Sequence, residues 1–169
     1  MGDSGLTDLT LPVPCAVLET LLSAVPPGAE AELRSAGHGT GVALAEWVRE
    51  STHESSPSWE ALGEAWTELG LGRLSRSAPG PGLMEIVVEE SGLPSGTPEF
   101  EQGMLEGLIG SFVSEPVGVT ITSVADSMED TGVDVPVRFV VGAPELIARL
   151  RPGLGSGRSI RDLMEEVWS

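Results

Sequence analysis

Between Thr97 and Pro116 the chain carries its clearest helical repeat. Phe100, Met104, Leu108 and Phe112 recur every four residues with Leu105 and Ile109 beside them, an apolar face that has to be buried. The same stretch contains Gly103, Gly107 and Gly110, each of which weakens a helix by about 0.8–1 kcal/mol relative to alanine. A second segment, Ala29 to Glu50, sets Leu33, Gly37, Gly41, Leu44 and Val48 at three- and four-residue spacing. Glycine on the apolar faces of two helices demands a compensating gain. Either another element comes very close to each helix, or the glycines around Phe100, Met104 and Leu108 leave room for an apolar ligand against a sheet.

The rest of the chain supplies that sheet. Leu83 to Val88, Val117 to Val124 and Val135 to Val141 are rich in Val and Ile and bounded by turn residues, so they read as strands. Ala78-Pro79-Gly80-Pro81-Gly82 and Ser91 to Gly96 read as loops, and Asp126 to Asp134 as an acidic turn. Thr97-Pro98 reads as an N-cap followed by proline at the first helical position, and Pro116 as the end of that helix. A short helix precedes Pro26-Pro27-Gly28. Another opens at Pro57, carries Trp59, Leu62, Trp66 and Leu69 on one stripe, and stops at Gly70. Pro144 to Leu150 forms a helix, Pro152 to Gly157 a flexible link, and Ile160, Leu163, Met164 and Val167 a last amphipathic helix. Helices followed by a β/α/β/β block predict an α+β fold, with N-terminal helices packed on a small antiparallel sheet and a buried glycine-containing helix. The expected organisation is an N-terminal helical segment at 1–28, an α+β domain at 29–150, and a Gly-rich linker with a C-terminal helix at 151–169.

Charge limits the partners. The 169 residues hold 26 Asp and Glu against nine basic residues, all Arg, for a net charge of −17. Those Arg are scattered from Arg34 to Arg161, without the basic stripe that a nucleic acid or an anionic surface selects. One Cys, Cys15, excludes an intrachain disulfide, and two His, His38 and His53, leave little for a transition metal. No apolar run approaches the roughly 18 residues of a membrane span, and the acidic N-terminus lacks the pattern of a secretory signal, so a cytoplasmic location is expected.

No catalytic constellation stands out. Gly37-His38-Gly39-Thr40-Gly41 resembles a phosphate loop in its glycines alone: it lacks the Gly-Lys-Ser/Thr ending, and the helical period runs through it. Glu89-Glu90, Glu129-Asp130 and Glu165-Glu166 fall at element ends, where solvated charge is the default. Trp47, Trp59, Trp66 and Trp168 sit in helical segments, as anchors of a core or subunit interface would.

From Gly82 to Val141 the order of strand, Phe100-Glu101-Gln102-Gly103-Met104-Leu105-Glu106-Gly107-Leu108, Pro116-Val117 and Val137-Arg138-Phe139-Val140-Val141 resembles the 4-vinyl-reductase-type domain. That family is related to subunits of the TRAPP vesicle-tethering complexes and to haem nitric-oxide sensor domains. The upstream Leu33, Gly37, Gly41 and Leu44 resemble its glycine-bearing helix. Members typically carry Cys two residues before the Phe and around the final hairpin. Here Pro98 and Val137 stand at such positions and Ser123 to Asp134 has no Cys, so the family's metal site is not expected. The resemblance implies a TRAPP-subunit-like α+β fold, homodimerisation and an apolar pocket. The expected function is a non-enzymatic domain that binds a small hydrophobic ligand or serves as an assembly or regulatory scaffold. Phe100, Gly103, Met104, Gly107 and Leu108 would line the pocket. No cofactor is expected beyond a bound apolar molecule, and a protein partner would dock on the C-terminal helix. The alternative is an enzyme or accessory factor of tetrapyrrole metabolism.

Overall fold

A computed structural model describes residues 20–93, 97–123 and 136–168. Residues 20–23 are helical; the rest of the first expected helix, Cys15 and the acidic turn lie outside the described residues. Among the described residues, five longer helices and four strands follow. Helix α1 spans Glu30–Thr52 and buries Gly37, Gly41, Leu44 and Val48 of the stripe its spacing predicts, together with Ala45, while Leu33 is half-buried. Helix α2, Trp59–Glu68, starts two residues later than proline placement suggested. The Ala61 N–H donates to Ser58 Oγ at 3.2 Å, so Ser58 is the cap and Pro57 lies before it. Gly70 follows α2 at φ +74, the left-handed conformation that ends helices.

The sheet is antiparallel with order β1-β2-β4-β3, where β1 is Arg73–Gly80, β2 Leu83–Glu89, β3 Gly118–Ser123 and β4 Val137–Gly142. Strand β1 replaces most of the loop expected at Ala78 to Gly82. Only Pro81-Gly82 turns the chain, closing a hairpin at Gly80↔Leu83 with Gly82 at φ +70, the pairing of residues a type II turn uses. Helix α3, Pro98–Gly110, connects β2 to β3. It ends earlier than Pro116, with Ser111 as C-cap, so Phe112 falls beyond it. Thr97 flanks its start without a side-chain capping bond.

Period-two alternation divides the apolar residues between the two faces of the sheet. Ile86, Val88, Phe139, Val141 and Val119 join α1, α2 and α3 in the larger core. Leu83 and Val140 face the other way and pack with helices α4, Pro144–Gly155, and α5, Ile160–Trp168. The flexible link expected at Pro152 to Gly157 is largely helix. Helix α4 runs through Pro152 and Gly153, and a Cβ on Gly153 would overlap the Leu163 side chain, so this glycine lets α5 lie against α4. Helix α5 contributes Leu163 and Met164 to the second core and leaves Trp168 exposed.

Candidate functional site

Helices α1 and α3 touch through their backbones. The Phe100 carbonyl oxygen stands where a Cβ on Gly37 would be, and the Met104 carbonyl where one on Gly41 would be. The relation is reciprocal: the carbonyls of Arg34 and His38 occupy the corresponding places at Gly103 and Gly107. Position numbers rise together on both sides of the contact, so the two helices run in the same direction. Each contributes a Gly-x-x-x-Gly pair, four residues apart and therefore on one face. Where Cβ is missing, the glycine Cα–H points at the facing carbonyl, a weak attraction of roughly 0.5–1 kcal/mol that helps offset the poor helix propensity.

This contact sets the direction of the five expected pocket residues. Gly103 and Gly107 face α1, not the sheet. Phe100, Met104 and Leu108 are buried in the larger core. Rotation of 100° per residue places Leu105 and Ile109 on the side of Gln102, whose Nε2 donates to the Val119 carbonyl of β3 at 2.7 Å. The sheet-facing surface of α3 is thus Gln102, Leu105 and Ile109, with the Phe100, Met104 and Leu108 row flanking the glycine contact. Glu101 is buried as well and accepts a hydrogen bond from the Ser91 hydroxyl.

On the outer side of the helix pair lies a groove of about 530 Å³ lined by Glu30, Arg34, His38, Glu99, Gln102 and Glu106, with Ala31 and Ser35. Arg34 spans it: Nε and Nη2 donate to the two Glu106 carboxylate oxygens at 3.1 and 3.0 Å. None of these groove residues was singled out by composition except His38. Their signal was present as the three- and four-residue steps Glu30, Arg34, His38 on one helix and Glu99, Gln102, Glu106 on the other. Among the described residues no group of three or more His, Cys, Asp or Glu is arranged to hold a metal ion. No described helix is long and apolar enough to cross a membrane.

Trp66 is fully buried and donates from Nε1 to the Leu71 carbonyl at 2.8 Å, which fixes it as a core anchor. Trp47 and Trp59 are partly buried against the same core.

No protein-family model matches this chain, and no curated protein matches it. A solved structure shares its fold. The phenol-responsive sensory domain of the transcription activator PoxR, determined with phenol, is 13% identical and superposes with a TM-score of 0.54 over 86% of this chain and 80% of that one. A vinyl-4-reductase family protein from Methanocaldococcus jannaschii is also 13% identical, with a TM-score of 0.46 over 75% of this chain and 73% of that one.

Proposed function

We infer that this chain is a non-enzymatic, small-ligand-binding regulatory domain that homodimerises. The observation that carries the reading is the fold it shares with a sensory domain determined with phenol. The chemistry of the core agrees with it. Phe100, Met104 and Leu108 supply an apolar wall beside a rigid glycine contact, Gln102 is a buried polar group on the same helix, and a small aromatic molecule matches such a lining. In this reading Gly103 and Gly107 act indirectly, by fixing α3 against α1 so that the wall keeps its position. The ligand is apolar and of phenol size, and the domain works either by sensing it or as a scaffold whose assembly the ligand adjusts.

Native mass spectrometry of the purified chain tests both parts at once. The expected result is a dimer that retains, or takes up from a panel including phenol, one small apolar molecule per chain. Thermal stability should rise with the molecule that binds. A monomer that stays empty from several expression hosts, with no thermal shift across the panel, would overturn the reading.

A further inference from the structure

Strand β1 is an edge of the sheet: it pairs with β2 on one side, and among the described residues no strand lies beyond it. Ser75, Arg76, Ser77 and Ala78 are exposed. An edge strand presents a row of backbone N–H and C=O groups to which another extended chain can pair. Beside this edge runs a groove of about 490 Å³ between α2 and β1, lined by Trp59, Glu60, Gly63, Glu64, Thr67, Glu68, Arg73 and Leu74.

Three features make that groove more than a gap. Its floor is apolar, from the partly buried Trp59 and Leu74. Gly63 faces open space, with nothing within 4 Å of a Cβ placed on it, so this mid-helix glycine has no internal packing reason, unlike Gly37, Gly41, Gly103 and Gly107. Its α2 wall is one-signed: Glu60, Glu64 and Glu68 are all exposed at four-residue spacing, an arrangement that destabilises a helix through like-charge neighbours. The nearby cations are otherwise engaged, Arg73 with Glu89 and Glu90 at 3.5 and 3.3 Å, and Arg76 over the Trp59 ring at 5.2 Å.

We propose that β1 and α2 form a docking site for an extended basic segment of a partner protein, which adds to the sheet as a fifth strand beyond β1. Main-chain pairing with β1 supplies affinity, and alternate side chains of the partner enter the groove, where lysine or arginine stems lie along Leu74 while their charges meet the glutamate row. A second copy of this chain fits less well. Antiparallel pairing of β1 with its copy about a two-fold axis keeps both α2 helices on one face of the sheet and brings two acidic rows together. The site is independent of the ligand reading above.

The probe is an end-blocked hexapeptide alternating lysine and valine, measured against the full chain by fluorescence anisotropy and amide hydrogen exchange. It should bind and slow exchange at Arg73 to Ser77, while the glutamate and valine counterpart should not bind. The triple variant Glu60→Gln, Glu64→Gln and Glu68→Gln should lose at least tenfold in affinity. Neutralising Glu30, Glu32 and Glu46 to Gln should leave binding within twofold, which separates the groove from the general −17 field. Gly63→Leu should abolish binding while the melting temperature does not fall, because leucine favours the helix and fills the groove. Absence of binding at millimolar peptide, equal losses in the two triple variants, or binding without slowed exchange at β1 would each overturn the proposal. So would concentration-dependent protection of β1 in the absence of peptide, which assigns the edge to a second copy.

Discussion

The His38 carbonyl oxygen occupies the position that a Cβ on Gly107 would take, so the two residues meet main chain to main chain. Three further glycines make the same contact between α1 and α3, at Gly37, Gly41 and Gly103.

Alanine at Gly107 or Gly41 should therefore destabilise the fold by roughly 1–3 kcal/mol, the range for forced overpacking, despite the better helix propensity. Gly39→Ala, on the same helix but facing open space, should stabilise by about 0.5–1 kcal/mol. Urea unfolding of the variants side by side reads the difference. Destabilisation of Gly39→Ala equal to that of Gly41→Ala would contradict the helix contact.

Met104→Ala should cost about 2–5 kcal/mol, as truncation in a filled core does. Under the ligand reading the same variant also loses the thermal shift produced by the bound apolar molecule. A variant that unfolds earlier but keeps the full shift places the ligand elsewhere.

The Arg34–Glu106 pair joins the two helices with both carboxylate oxygens engaged, yet the side chains are 33% and 20% exposed. Solvent screening at that exposure limits the coupling to roughly 0.2–1 kcal/mol. A double-mutant cycle with Arg34→Ala and Glu106→Ala measures it, and the value should shrink as salt is raised.

Glu166 accepts two hydrogen bonds from Arg158, at 3.0 and 2.6 Å, and these, with the guanidinium charge, hold its carboxyl below the ordinary glutamate range. A depressed carboxylate contributes stability above its unfolded pKa and loses it as pH falls through the lowered folded pKa. In an NMR titration, Glu166 should protonate at lower pH than an unpaired glutamate. Arg158→Ala should return it to the ordinary range.

Removing residues 158–169 should lower stability by about 3–6 kcal/mol, because Leu163 and Met164 leave the second core with it. An unfolding midpoint that does not move would mean that α5 is a detachable tail. The exposed Trp168 then becomes the natural place to look for a partner.

Much of this architecture was legible from residue spacing. The apolar repeats of α1 and α3 marked helices because burial imposes a 3.6-residue period, and β2, β3 and β4 were visible in their Val and Ile content. Strand β1 was not, since an edge strand is held by backbone pairing and needs few apolar side chains: in Arg73-Leu74-Ser75-Arg76-Ser77 only Leu74 packs against the core. Pro152-Gly153 read as a break, whereas Gly153 is there to admit Leu163. At the candidate site, spacing identified Phe100, Met104 and Leu108 as buried but not the direction of Gly103 and Gly107. Their match in spacing to Gly37 and Gly41 was the available clue. The glutamate row of α2 carried no signal until the fold placed it beside an open strand.

A contact made of main chain has a mechanical consequence. Where side chains separate two helices, rotamer changes let the helices slide past each other in small steps. Between Gly37 and Phe100, or Gly107 and His38, there are no rotamers to exchange, so α1 and α3 are geared as one lever. A displacement of α3 by an event in the core is therefore expected to carry α1 with it.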